Sequence, residues 1–195
     1  MFIPEKRIAV EYNGLYWHSE KQGKHASYHY NKWKQCRDKG IQLIQIWEDD
    51  WELHRDIVLN SLFHKLSIAQ DRRIGARKTT ITHISNHDAK GFLDKHHIQG
   101  YSKGCVNIGL CDDNHDIVAV MSLRRTREHG EDALLINRYA TSINVQGGFT
   151  KLLSHAIMQS PDIRYVVSFS DNCVSDGGLY ASNGFHMDKM IPPDY

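Results

Sequence analysis

Long hydrophobic runs are missing from this chain. No stretch approaches the roughly 20 apolar residues of a membrane helix, and the charged start is not that of a signal peptide, so no membrane partner is expected. Paired cysteines are missing as well. Cys36, Cys105, Cys111 and Cys173 form no CxxC spacing, which points to free thiols in a reducing cytoplasm. An excess of either charge is also missing: 24 basic and 23 acidic side chains leave a net charge of +1. That balance neither demands nor excludes a nucleic-acid partner, since a basic face can stand beside acidic patches. Repeats and low-complexity segments are absent. What is abundant is histidine, 13 residues in all, and that surplus favours metal or acid–base chemistry. The 195 residues, 41% of them hydrophobic, suffice for one large domain or two small ones.

The first strand signal is Arg7-Ile-Ala-Val-Glu-Tyr-Asn13, apolar enough for a central position. A histidine-rich loop follows, then a helix over Tyr28–Lys39 closed by Gly40. Ile41–Trp47 is a second strand. Apolar residues at helical spacing (Leu53, Ile57, Leu62, Leu66) predict a long helix from Asp50 to about Gln70. This β–α–β–α order argues for an α/β layer. Asp71–Lys78, charged and interrupted by a glycine, reads as a linker. Beyond it the spacing predicts strands near residues 79–84, 106–110, 117–123, 134–140 and 164–170, and a last one near Phe185. Helices are expected near residues 87–96, 148–158 and 176–183. Two domains follow, residues 1–74 and 75–195.

Nucleases that cleave phosphodiesters with Mg²⁺ need carboxylates at a strand end, a group that activates water and one that handles the leaving oxygen. Glu11, Asn13, His18, His29 and Lys32 stand close to one strand end, with Tyr16 and Trp17 placed to pack or stack on a nucleotide. From the residues alone a plainer account competes: Glu11 is a strand-edge carboxylate paired with a lysine, and His18 is a loop histidine.

The run P-E-K-R-I-A-V-E-Y-N-G-L-Y-W-H-S-E, then Tyr28-His29-x-x-Lys32, then K-G-I-Q-L-I-Q-I-W-E-D-D-W, resembles phage homing endonucleases related to very-short-patch-repair (Vsr-like) endonucleases. These form the EDxHD branch of the PD-(D/E)XK superfamily, and the resemblance covers about the first 70 residues. It implies a restriction-endonuclease-like mixed sheet with flanking helices that cuts double-stranded DNA using Mg²⁺ or Mn²⁺. Glu11 would then be a metal ligand and catalytic residue, Asn13 would take the lysine-equivalent position on the DNA, and Trp17 would contact DNA. His18 and His29 would transfer protons, and Lys32 would offset phosphate charge. The family's principal metal-binding aspartate would fall one residue before Met1. That leaves three expectations: an N-terminally incomplete chain, a nuclease that has lost activity, or substitution by Glu48, Asp49 or Asp50, acids that otherwise suit a helix N-terminus.

In the second half, Asn137-Arg-Tyr-Ala-Thr-Ser-Ile-Asn-Val-Gln-Gly-Gly-Phe-Thr-Lys-Leu-Leu153 passes from a strand through a glycine pair into a helix. Helix-start amides bind phosphates, and glycine allows close approach; a plain turn accounts for the same pair. Phe169-Ser-Asp171 and Gly177-Gly-Leu-Tyr-Ala-Ser-Asn-Gly-Phe185 resemble the closing segment of GNAT acyltransferases, most nearly the Mom-type DNA-modifying branch. Phe92-Leu-x-x-x-His-Ile-Gln-Gly-Tyr101 is a landmark shared with GNAT-like tails of such nucleases. The resemblance implies that Gln146, Gly147, Gly148 and Phe149 hold acyl-CoA phosphates. Tyr180 would protonate the departing thiolate, and Ser170 or Asp171 would face the acceptor. Arg124, Arg125 and Arg127 suit DNA phosphates, or else a solvated loop.

The leading expectation is a phage homing-type endonuclease with a GNAT-like second domain, acting in the cytoplasm of an infected bacterium. The alternatives are an acyltransferase that modifies DNA bases and carries a nuclease remnant, and a DNA-binding protein without catalysis. Oligomeric state is not legible in the sequence.

Overall fold

The computed structural model describes residues 1–14, 27–68 and 72–191. Its class is mixed α/β, and no helix among the described residues is long and apolar enough to cross a membrane. The chain divides into two compact units, one comprising Met1–Leu62 with Ser170–Tyr195 and the other Phe63–Phe169. The boundaries thus differ from a single cut near residue 75, because the closing segment returns to the first unit.

The first unit holds a three-stranded sheet. β1 (Phe2–Ile3) runs antiparallel to β2 (Ile8–Asn13), and β2 runs parallel to β3 (Gln42–Trp47), with Ile8 opposite Gln42 and Asn13 opposite Trp47. Helix α1 (Ser27–Asp38) makes the crossover between the parallel strands, as a parallel pair requires. Arg7 locks the return. Its own backbone is left-handed (φ 52), while its guanidinium donates to the carbonyls of Lys39 and Gly40. A cation there also opposes the negative end of α1. Leu43, Ile44, Gln45 and Ile46 are buried in succession, the pattern of a strand covered on both faces. The Gln45 amide donates to the Cys173 carbonyl at 2.8 Å, so the closing segment lies along β3. Helix α2 (Glu48–Lys65) follows, with a non-helical backbone at His54.

The second unit is built on a five-stranded sheet. Its strands are β5 (Thr80–His83), β6 (Val106–Cys111), β7 (Ile117–Glu128), β8 (Glu131–Thr141) and β10 (Tyr165–Ser168), in the spatial order β10-β8-β7-β6-β5. The pairs are antiparallel except β8 with β10, which is parallel. In β7, Val118 through Leu123 are all buried, so both faces of the sheet are covered. Helices α3 (Asn86–His96) and α4 (Gly148–Met158) do the covering. Ile84, Ala89, Leu93, Val120 and Ala140 form one cluster beneath α3, with Phe92, Tyr101 and Ile117 against it. A buried polar ladder crosses this core: the Ser122 hydroxyl donates to Asn107 Oδ1 at 2.6 Å, and Asn107 Nδ2 donates to Asn86 Oδ1 at 3.1 Å.

Within the stretch read as a linker, residues 73–78 form regular structure. β4 (Arg73–Gly75) pairs in parallel with β9 (Asn144–Gln146), and a 3-10 turn over Ala76–Lys78 follows it. The strand expected near Phe185 is not formed. That segment carries only the short helix α5 (Gly178–Ala181) and then turns without regular structure.

Candidate functional site

In the first unit, β2 and α1 bring Glu11, Asn13, His29 and Lys32 together, with Gln45 on the neighbouring strand. Lys32 Nζ donates to Glu11 Oε1 at 2.5 Å, and that bond is the main reason the lysine's pKa lies above its ordinary value. Asn13 is fully buried and donates through Nδ2 to Gln45 Oε1 at 3.2 Å; His29 Nδ1 lies 3.1 Å from the same oxygen and its ring stands edge-on to Trp47. Tyr16, Trp17 and His18 lie outside the described residues.

This geometry corrects two expectations. A hard divalent ion wants several oxygens and more than one carboxylate. Among the described residues, Glu11 belongs to no group of three metal-ligating side chains, and one of its two oxygens is held by Lys32. Glu11 therefore has the plainer role, a strand carboxylate paired with a lysine. Asn13 cannot touch DNA, because its side chain is sealed inside the sheet. Glu48, Asp49 and Asp50 form the first turn of α2, where acids oppose the helix dipole. Burial, and then the neighbouring Asp49 charge, raise the pKa of Asp50.

In the second unit, the turn from β9 into α4 gathers Gln146, Gly147, Gly148 and Phe149. Gln146 and Gly147 are exposed, Gly148 and Phe149 buried. Gly147 caps the helix in the left-handed region (φ 75) and offers no side-chain cap, a backbone that glycine adopts without strain. Gly148 has a different reason to lack a side chain: a Cβ there would lie 2.9 Å from Val145 Cγ1 and 3.1 Å from the Tyr139 hydroxyl. Phe149 stacks edge-on with Tyr139, ring centres 5.1 Å apart. Burial pushes the Tyr139 phenol well above its usual pKa. Lys151, one turn into α4, donates to the Ala76 carbonyl at 2.8 Å and also reaches Thr79.

The sheet opens beside this turn. Pairing of β8 with β10 ends at Ser168 opposite Ile136, while β8 continues to Thr141. Ser168 Oγ donates to the Ile136 carbonyl at 3.0 Å and closes the ladder. The next residue, Asn137, is a bulge: Ser122 faces Arg138 and Leu123 faces Ile136, which leaves Asn137 unopposed. Bulges re-aim side chains and end pairing. Asn137 Nδ2 donates to Cys105 Sγ at 3.3 Å, and Arg138 donates to the Gly100 carbonyl at 3.2 Å. The landmark Phe92–Tyr101 is the end of α3 and the turn after it, which receives this arginine at Gly100, with the Tyr101 amide held by Asp94 Oδ1 at 2.9 Å. Tyr139, Asn137 and Lys151 were not singled out from the sequence, since a buried phenol, a bulge and a lysine aimed at carbonyls leave no motif.

Tyr180 lies on α5, edge-on to Phe185 at 5.4 Å, in the unit that does not contain Gly147 and Gly148. Asp171 belongs to that same unit and accepts the Cys173 amide at 2.8 Å. Arg124, Arg125 and Arg127 are exposed near the end of β7. Arg125 is bound by both nitrogens to Asp162, at 2.5 and 2.8 Å, and Arg127 lies 3.6 Å from Asp132. Two of these three cations are thus already matched with carboxylates.

No family model matches the chain, and no curated protein matches its sequence. Solved structures do match. One is an aminoglycoside acetyltransferase from an uncultured soil metagenomic sample, with 15% identity over 61% of this chain and 95% of that one, TM-score 0.45. Another is a GNAT family acetyltransferase from Staphylococcus aureus, with 10% identity over 60% and 98%, TM-score 0.45. A transcriptional regulator from Bacillus halodurans shares 14% identity over 60% and 99%, TM-score 0.48. A Glu11 carboxylate committed to Lys32, with no group of three metal-ligating side chains around it among the described residues, overturns the expectation of a Vsr-like, metal-dependent DNA endonuclease with its Mg²⁺ or Mn²⁺.

Proposed function

We propose that the Phe63–Phe169 unit is a GNAT-type acyltransferase that draws its acyl group from acyl-CoA. The observation that carries this reading is the exposed glycine turn at the start of α4, set beside a sheet that opens where β10 stops pairing with β8. A helix start of this kind favours anionic groups through its amides and dipole, and Gly147 keeps the approach clear of side chains. Gln146, Gly147, Gly148 and Phe149 would hold the phosphates. The length of β8 beyond Asn137, paired with β7 but no longer with β10, offers backbone groups on its open side to an extended, amide-containing arm. When bound, acyl-CoA supplies an acyl group activated as a thioester. Tyr139 and Val145 pack beneath Gly148 and keep the turn in shape.

Calorimetry with acetyl-CoA tests the reading. Binding is expected for the wild type and at least tenfold weaker binding for Gly148→Glu. Gln146→Glu, which places the same charge at an exposed position, is expected to weaken binding in a chain whose fold is undisturbed. Absence of wild-type binding at millimolar acetyl-CoA, or full affinity in Gln146→Glu, sinks it.

A further inference from the structure

We infer that Arg73, Arg77 and Lys78 form a docking ridge for the phosphate backbone of double-stranded nucleic acid. Residues 72–78 read Arg-Arg-Ile-Gly-Ala-Arg-Lys, four cations and no acid in a chain whose overall charge is nearly balanced. All four cations are exposed. Among the described residues only Arg72 has a carboxylate nearby, Asp112 Oδ2 at 3.7 Å, and the other oxygen of Asp112 accepts the amides of Asn114 and Asp116. Arg73, Arg77 and Lys78 have no carboxylate within ion-pair distance among the described residues. Arg125 and Arg127, the cations that the sequence favoured for this role, both have one.

The ridge is held rigidly. Gly75 is in register with Gln146, and Ala76 is buried. The Thr79 hydroxyl donates to the Ala76 carbonyl at 2.7 Å, and Lys151 donates to that carbonyl from the side. The ammonium of Lys151 is spent on this clamp and the four outer cations are not. Fixed side-chain bases lose less freedom on binding than those of a loose arm. Arg72, Arg73 and Lys78 also line a shallow cleft of about 440 Å³ with Ile74, Ile143 and Asp112.

The chemistry favours nucleic acid over a protein partner. Protein interfaces set aromatic and other large apolar anchors at their centre, and residues 72–78 contain no aromatic residue. Exposed cations close together in the chain, without an aromatic anchor among them, match sequence-independent contacts to phosphates. The inference does not depend on the acyltransferase reading, which concerns the neighbouring glycine turn.

Fluorescence anisotropy with a labelled duplex of about 20 base pairs, titrated with KCl, tests it. Three phosphate contacts predict a slope of log affinity against log salt near −2.7, about a 40-fold loss between 50 and 200 mM. The triple variant Arg73→Gln, Arg77→Gln, Lys78→Gln is expected to lose binding, and each single variant to reduce the slope by about one. The double variant Arg125→Gln, Arg127→Gln is expected to keep the slope. Thermal melts confirm that all variants fold, and acetyl-CoA calorimetry reads the glycine turn separately. Three outcomes overturn the inference: no wild-type binding at low salt, an unchanged slope in the triple variant, or capture of poly-glutamate in preference to the duplex.

Discussion

Lys151 Nζ lies 2.8 Å from the Ala76 carbonyl oxygen, so a charged side chain of α4 serves as the clasp for a turn on a segment 75 residues earlier. The Ala76 carbonyl keeps its bond from the Thr79 hydroxyl when Lys151 is removed, so what is lost is a hydrogen bond from a charged donor, about 1.5–3 kcal/mol. Lys151→Met is therefore expected to lower stability by that amount in urea unfolding. Hydrogen exchange should accelerate at residues 76–79 first. Unchanged protection there would show that the clasp contributes nothing.

Gly148 is bounded by Val145 Cγ1 at 2.9 Å and the Tyr139 hydroxyl at 3.1 Å from a Cβ placed on it. Overpacking of this kind costs about 1–3 kcal/mol. Gly148→Ala should fall in that range by chemical denaturation, and Val145→Ala should cost less in the Gly148→Ala background than alone. Additive effects in the double-mutant cycle would contradict the contact.

His97 titrates out of its ordinary range: burial first, and the Arg138 charge second, lower its pKa to about 4. The native imidazole stays neutral while the unfolded one takes a proton near pH 6.5. The folded pKa is the lower of the two, so this stability is present above pH 6.5 and is lost as pH falls towards 4. The full effect is about 3 kcal/mol, and burial of His96 acts in the same sense. Urea midpoints should drop between pH 6.5 and 4.5, and His97→Gln should flatten the profile. A midpoint that rises on acidification would overturn the assignment.

Glu11 and Lys32 form a partly buried pair, with Glu11 the more enclosed at 17% side-chain exposure. Lys32→Met leaves that carboxylate without its cation, and a loss of about 1–3 kcal/mol is expected. Glu11→Gln combined with Lys32→Met should restore part of it. Because the carboxylate is already matched, millimolar Mg²⁺ should leave the melting temperature unchanged. A clear upward shift that disappears in Glu11→Gln would reinstate a metal site.

Elements carried by local pattern were legible in the sequence. The helix expected over residues 148–158 coincides with α4, and β2, β3 and α3 lie within a few residues of their expected places. The α/β class followed from that alternation. What local pattern hid was pairing at a distance. Residues 72–78 are polar and look like a linker, yet β4 is a strand because β9 supplies its partner. β7 runs on through Arg124–Glu128, charged residues that lack a strand signature, because each is paired across to β8. The glycine turn was legible because left-handed backbone and helix starts leave their mark in glycine. The bulge at Asn137 was not, since it exists only in the register between two strands. The likeness of the first 70 residues to nucleases was read from residue identities, and identities do not reveal that Lys32 already holds Glu11.

The ladder between β4 and β9 joins residues about seventy apart in sequence. Contacts of that separation close late, because loop-closure entropy must first be met by the structure between them. During synthesis and folding, then, the Arg-Arg-Ile-Gly-Ala-Arg-Lys segment is a loose cationic peptide, and it becomes a fixed ridge only once β8, β9 and α4 are in place. Its alignment is thus a record of completed folding, and affinity for polyanions should sharpen at the last step of assembly.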